Sequence, residues 1–257
     1  MVSVCPQQLS KSDPDIYSVV NKYSESNIVL VADHGGNEVP ESMGKLGLAA
    51  AALNCHIAID LGVSSLVRGL SSNLQSAALI ANYTRLLIDL NRPLGEGQSV
   101  VTKSDGINIS GNQNISDLEY IKRAEIFYWP YHNTLANLLA NIKLRGKTPI
   151  LISLHTFTPI LGKDKRQWNI GVMSANDKRL SSIVLTQLLA NNLGLVVGDN
   201  QPYSGVKYGH TVRMQAELLG YPYIQLEVRQ DLLAKGDQVL LLTDYLAKVL
   251  EVATHSF

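Results

Sequence analysis

Short apolar runs of strand length alternate along this chain with longer segments whose apolar positions recur every three to four residues. Ile28 to Ala32 is a β-branched run that predicts a strand, and Gln75 to Tyr83 followed by Arg85 to Leu90 predicts one or two more. Between them, LGVSSLVRGLSSNL places Leu61, Ser65, Leu66, Gly69 and Leu70 near helical spacing. Ser116 and Glu119 match a capping box, and the helical pattern that follows runs to Gly146, with Pro130 expected to kink or split it. In the second half PILISLH, NIGVMSA, LGLVVGD and YPYIQLEV predict strands. DKRLSSIVLTQLLANNLG, GHTVRMQAELLG and DQVLLLTDYLAKVLEVA predict the helices between and after them.

Strands separated by helices of this length require crossover connections, hence a largely parallel or mixed sheet covered on both faces. The predicted fold class is α/β. No internal repeat and no Pro/Ser linker divides the chain, so residues 1–257 are read as a single domain. Residues 93–116 are rich in Gly, Ser and Asn and predict a long surface excursion; with residues 156–168 they are candidate covers for a site.

Composition narrows the function. The 22 Lys plus Arg balance 22 Asp plus Glu, which leaves no electrostatic footprint for nucleic acid or an anionic membrane. Cys5 and Cys55 lie outside any CxxC pattern and suggest neither a disulfide scaffold nor a zinc finger. MVSVCPQQLSKSDPD has no basic region followed by an apolar one, and no apolar stretch approaches the length of a membrane span. These features predict a cytoplasmic protein.

In sheets of this class ligands bind at the carboxyl ends of strands. Here the first strand ends in Asp33-His34-Gly35-Gly36-Asn37-Glu38, a later run ends in Asp89-Leu90-Asn91-Arg92, PILISLH ends in His155, and YIQLEVR carries Glu227 and Arg229. Each has an ordinary structural use: a strand-end histidine can be a hydrogen-bonded core residue, Asp89 a cap, Asn91 an Asx turn, the glycine pair a sharp bend. Their shared position at strand ends favours a site. A phosphate cradle is excluded, since neither glycine-rich signature occurs and Asp33 and Glu38 would repel the anion. No G-x-S-x-G elbow occurs, and neither cysteine has a nucleophile's context. Metal chemistry is the remaining mechanistic option: His34 and His155 as neutral donors to a divalent metal such as zinc, a third ligand from the residues after His34, and Glu227 as the carboxylate that takes the proton of an attacking water.

DHGGNEVP, HIAIDLGVSSLVRGLS, YTRLLIDLNRP, PYH, SLHTFTP, NIGVMSANDKRL, DNQPYSG, YGH and LEVRQDLL occur in the order found in the N-formylglutamate amidohydrolase family, from about residue 30 to about residue 245. The chain resembles that family, which is similar in fold to zinc carboxypeptidases and aspartoacylase-like deacylases. The resemblance implies His34 and His155 as metal ligands, Glu227 as general base, and Asn91 and Arg92 as the pair that holds a substrate carboxylate. It offers Arg85 and Arg229 as further cations toward the substrate, and places Asp60 and His132 in family motifs. The chain departs from the carboxypeptidase pattern H-x-x-E: Asn37, an amide and a poorer zinc ligand, stands at the fourth position and Glu38 one residue later, so Glu38, Asp60 or a water, ahead of Asn37, is left to complete the metal shell. The implied reaction is hydrolysis of the N-formyl or N-acyl amide of a small amino acid, with no nucleic-acid or membrane partner. A carboxypeptidase-like peptide hydrolase and a non-catalytic small-molecule binding protein are the alternatives.

Overall fold

The apolar runs pair into one sheet because they are buried along nearly their whole length. In the computed structural model, which describes residues 9–190 and 194–257, that sheet has seven strands. They are β1 (Tyr17–Val20), β2 (Ile28–Ala32), β3 (Ala77–Ala81), β4 (Ile150–Phe157), β5 (Ile170–Met173), β6 (Val197–Asp199) and β7 (Tyr223–Arg229). Their order is β1-β3-β2-β4-β7-β5-β6. The four central strands β3, β2, β4 and β7 are parallel, β1 runs antiparallel on one edge, and β5 and β6 run antiparallel to β7 on the other. The α/β class with a mixed, largely parallel sheet is therefore as expected. The four central carboxyl ends lie together.

The longer helices are α1 (Val63–Asn73), α2 (Asp117–Arg123), α3 (Trp129–Leu144), α4 (Arg179–Leu189), α5 (His210–Gln215) and α6 (Gly236–Thr254), with single turns at Ala50–Leu53 and Gly205–Tyr208. Strand alternation sorts the core into two layers. Leu30, Ile152, Leu154, Ile224 and Leu226 pack with Leu66 and Leu70 of α1, Val184 of α4 and Leu246 of α6. Val29, Val31, Leu79, Leu151 and Tyr223 face the other way, against Tyr131, Leu135 and Leu139 of α3 and Val212 of α5. No helix among the described residues is long and apolar enough to cross a membrane.

Ser116 caps α2 by accepting the Glu119 N–H at 3.2 Å. The helical run changes character just before Pro130, in keeping with the expected split: a π-helical turn over Ala124–Tyr128 separates α2 from α3, and the proline, which has no N–H to donate, falls in the first turn of α3. Gly146 ends α3 in the left-handed conformation, φ 78°.

Two local expectations change. Arg85 to Leu90 is not a strand but a series of turns, opened by the Leu87 N–H on the Thr84 carbonyl at 3.1 Å and closed by the Asp89 N–H on the Ser99 carbonyl at 2.7 Å. Leu86, Leu87, Ile88 and Leu90 are all buried, which supplied the apolar run without a ladder. The carbonyls that a ladder would pair are taken by side chains instead. Arg123 donates to the Leu87 carbonyl at 3.0 Å and to Glu119 at 2.7 Å, and Asn112 donates to the Leu86 carbonyl at 2.8 Å. The excursion over 93–116 contains a hairpin, Lys103–Ser104 with Ile107–Asn108, turning through Asp105 at φ 42° and Gly106 at φ 80°. A second hairpin pairs Ile160–Leu161 with Asp164–Lys165. Cys5 and the expected end of the α4 segment at 191–193 lie outside the described residues; Cys55 is a free thiol that donates to the Ala52 carbonyl.

Glu217 clamps the sheet's far side. Its Oε1 accepts from the Tyr223 hydroxyl at 2.7 Å and from the N–H groups of Asn176 and Asp177 at 2.8 and 3.3 Å. Burial pushes its pKa up, but these donors more than offset it and hold the carboxyl below its ordinary value. A carboxyl depressed in the folded state adds stability above its unfolded pKa, and that stability fades as pH falls through the folded value. Glu217→Gln is expected to lose about 1–3 kcal/mol at neutral pH, with the gap to wild type closing below about pH 4. Urea unfolding at several pH values measures this, and a pH-independent gap would contradict the charge argument.

Candidate active site

The site is written into strand register. β4 and β7 pair so that Ser153 lies beside Gln225 and His155 beside Glu227. These four alternate with Leu154, Leu226 and Val228, which point into the opposite core layer, so the polar set emerges on the α3 side of the sheet, at its carboxyl end. On β2 the same face continues from Val31 to Asp33, whose Oδ1 accepts the Tyr131 hydroxyl at 2.8 Å. The chain then passes directly over the end of β3. A Cβ on Gly35 would lie 2.5 Å from Ile80 Cγ2, and one on Gly36 would run into the Asn82 carbonyl. Neither glycine is left-handed, so what the pair provides is room for close approach rather than an unusual bend.

Close passage delivers His34 into the site. Its Nδ1 lies 3.4 Å from Asp60 Oδ2 and its Nε2 2.8 Å from Asp89 Oδ1. His155 Nδ1 is 2.8 Å from the same Asp60 oxygen, and its Nε2 faces Ser153 Oγ at 3.1 Å and Asp33 Oδ2 at 3.5 Å. The two imidazoles meet edge to face, with centroids 4.8 Å apart. Asp60 is fixed by its own N–H, which donates to the His34 carbonyl at 3.0 Å, and by the Thr156 N–H at 3.3 Å. Arg85 braces the carboxylates, reaching Asp89 at 2.6 Å and Asp60 at 3.6 Å.

Burial and charge oppose each other here, and charge wins for most groups. Burial raises the pKa of Asp60, but His34 and His155 hold it well below the usual carboxylate range. Asp89 is likewise lowered, by Arg85 and His34 against burial. Burial pushes His155 down, but Asp33 and Asp60 beside the ring carry it up to about 10. Glu227 behaves oppositely: burial raises it, and the only hydrogen bond made to its carboxyl among the described residues comes from Gln225 at 3.1 Å.

His34, Asp60 and His155 offer ligand atoms that all lie within 4.8 Å of one another. Two imidazole nitrogens and one carboxylate oxygen suit a borderline-soft divalent cation. The second nitrogen of each ring faces a carboxylate, Asp89 or Asp33, which is how ligating histidines are oriented. Asp33 Oδ2 is buried without a hydrogen bond and has the His155 ring 3.5 Å away. This group can hold a metal ion.

The sequence matches the N-formylglutamate amidohydrolase family over residues 26–234. The chain belongs to that family. The resemblance carried by the ordered motifs is thus borne out. Among solved structures, a gene product of Agrobacterium tumefaciens superposes with a TM-score of 0.93 at 27% identity, covering 96% of this chain and 98% of its own. The N-formylglutamate amidohydrolase of Ralstonia eutropha JMP134 superposes with a TM-score of 0.67 at 18% identity, covering 93% and 97%. No curated protein is significantly similar in sequence.

In this amidohydrolase His34, His155, Asp60, Asn91, Arg92, Arg85 and Glu227 line one cavity of about 170 Å³. Asn37 turns away, donating to the Leu53 carbonyl at 2.9 Å and to Asn54 at 2.8 Å. Glu38 is exposed and bridges to Tyr83 at the end of β3. Neither reaches the cluster, and the carboxylate between the histidines is Asp60. Arg229 pairs with Asp231 at 2.8 Å and donates to the carbonyls of Arg166, Gln167 and Trp168, anchoring the second hairpin from outside the cavity. His132 lies beneath the site, its Nε2 donating to the Leu90 carbonyl at 2.9 Å, and burial lowers its pKa to about 4. It supports the Asp89-to-Arg92 turn.

Asp33 and Asp89, strand-end candidates without a stated role, serve as partners of the histidines, whereas Ser153 and Gln225 and the cavity walls Tyr203 and Tyr208 are additions to the expected site residues. The polar alternation in ILISLHTF and YIQLEVR was the available signal for Ser153 and Gln225. Asp89→Asn is expected to weaken zinc binding by about 10–100-fold, as removal of such an orienting carboxylate typically does. Asn37→Ala and Glu38→Ala should leave it unchanged. Competition against a chromogenic chelator reads both, and equal affinity in all variants would remove the assignment.

Proposed function

We propose that this protein hydrolyses the N-formyl amide of a small acidic amino acid such as N-formylglutamate, with a divalent metal, zinc by donor set, held by His34, Asp60 and His155. The observation that supports this most is the meeting of that cluster with Glu227, from the adjacent in-register strand, on one small cavity. When bound, the metal would supply Lewis acidity toward the scissile carbonyl and the attacking water. About 170 Å³ is below the ~300–1,000 Å³ of sites for drug-sized ligands, and suits a formylated amino acid.

Glu227 is the proton carrier in this reading. A carboxyl raised by burial sits closer to the working pH than an exposed one, so it takes a proton from water and returns it to the departing amine with little penalty. The water oxygen joins the formyl carbon, the C–N bond breaks, and formate and the free amino acid result. Asn91 and Arg92 hold the substrate carboxylate. Asn91 is itself fixed, its Oδ1 accepting the Thr211 N–H at 2.9 Å and its Nδ2 donating to the Tyr208 carbonyl at 3.0 Å. Arg92 stacks over Tyr208 at 5.1 Å, which fixes the plane of its fork.

Formate release from N-formylglutamate is expected from protein purified without chelator, abolished by chelation and restored by zinc. Glu227→Gln should lower kcat by about 10²–10⁴-fold with metal content unchanged. Full activity in metal-free protein, or in Glu227→Gln, would sink this reading.

A further inference from the structure

The reaction cavity opens into a second compartment of about 530 Å³, and the two share His56, Arg85, Arg92, Leu161 and Tyr203 as walls. A formylated amino acid occupies only the inner part, so the larger volume has no use in the reaction as proposed so far. Its lining has two characters. Ile57, Leu86 and Val101 form an apolar side, while Gln98, Lys103, Ser104 and the acids Asp89 and Asp105 form a polar one, Asp89 being paired with Arg85 and Asp105 facing His56. Lys103 stands in the first hairpin, whose Asp105 lies 3.3 Å from His56 Nε2. Arg85 is already engaged by Asp89 and Asp60. Arg92 and Lys103, neither of which pairs with an acid among the described residues, are therefore the cations left to face an incoming ligand.

We propose that the outer compartment binds a second residue of the substrate, so that acidic N-formyl dipeptides form a substrate class of this enzyme. The inference rests on the amidohydrolase reading for its chemistry. A formyl group is a single carbon and cannot extend outward, so any extension beyond the inner cavity belongs to the amine side. With the scissile amide at the His34, Asp60 and His155 cluster, the internal peptide carbonyl reaches Arg92 at the junction. The methylenes of the second side chain then lie along Ile57, Leu86 and Val101 with its carboxylate toward Gln98, and the terminal carboxylate reaches Lys103. Water divides as before: its oxygen and one hydrogen go to the formyl carbon, the other hydrogen to the amine, and formate and the free dipeptide leave.

Calorimetry with the two products tests the compartment without requiring turnover. Glutamylglutamate should bind at least about fivefold more tightly than glutamate, the scale of one added, partly solvated charge pair. Lys103→Glu should remove that preference while leaving formate release from N-formylglutamate within about twofold of wild type, since an exposed rim charge acts locally. Equal binding of the two products, or equal weakening of both by Lys103→Glu, would overturn the proposal. Formate release from N-formylglutamate but not from N-formylglutamylglutamate would also overturn it and leave the parent reading intact. Release from neither, with the dipeptide preference and its loss in Lys103→Glu both observed, would support the compartment and sink the hydrolytic reading instead.

Discussion

Oδ2 of Asp60 lies 2.8 Å from one imidazole nitrogen and 3.4 Å from another, in a setting almost closed to water. A carboxylate so placed is strongly unfavourable unless neighbours compensate its lost hydration. The surrounding structure supplies that compensation from four directions: His34 from the end of β2, His155 from within β4, Arg85 from the turns after β3, and the Thr156 N–H. Groups from β2 and β4 thus meet at one oxygen, Arg85 from beyond β3 reaches the other oxygen of the same carboxylate, and the relative heights of these strands are set by register. A one-residue slip of β4 against β7 would send His155 into the opposite apolar layer and separate it from Glu227.

The same constraint explains features that look incidental. The glycine pair is needed because His34 must reach Asp60 while the backbone crosses the end of β3 at contact distance. The irregular segment from Arg85 to Asn91 is buried because it must bring Asp89 behind His34 and Asn91 beside His155, and no ladder geometry does both. The buried Arg123, with Asn112 and Glu119, pairs the carbonyls that this irregularity frees. Local regularity is given up near the site and the loss is made good by polar side chains one layer away.

The architecture was legible in the sequence because it depends on period. Two-residue alternation and three-to-four-residue spacing marked the central strands and main helices. The short edge strand β1 and the two hairpins carried too few residues for a pattern, although Asp105-Gly106 is a left-handed turn signal. For the site, strand-end reasoning singled out His34 and His155 and looked just after His34 for the carboxylate that joins them, whereas the family motifs also offered Asp60. That carboxylate is Asp60, 26 positions along the chain, tied to His34 by one backbone hydrogen bond. Nothing in local spacing reports a contact across a loop and a helix start. Asn37 and Glu38 drew attention because they are near His34 in sequence, yet the chain turns them toward the segment around Asn54 and the end of β3.

Four buried carboxyls surround the cavity, and their environments divide them into two kinds of work. Asp33, Asp60 and Asp89 each face histidine or arginine, and all are held in the anionic form. Glu227 is as deeply placed, but no arginine or lysine pairs with it among the described residues and its neighbour is the amide of Gln225, so burial prevails and its pKa rises. Groups of nearly identical chemistry are in this way sorted into permanent anions, suited to hold histidines and a cation, and one carboxyl able to gain and lose a proton. The sorting follows from what each carboxyl faces. Asp33 and Asp89 follow β2 and β3, and Asp60 lies before α1 against Arg85 and both histidines, whereas Glu227 projects from β7 between His155 of β4 and Gly171 of β5, which contributes no side chain and no charge. A Cβ on Gly171 would run into the Gln201 carbonyl, so the glycine first makes room for the neighbouring chain, and in doing so it leaves burial unopposed by any charge from that side of Glu227.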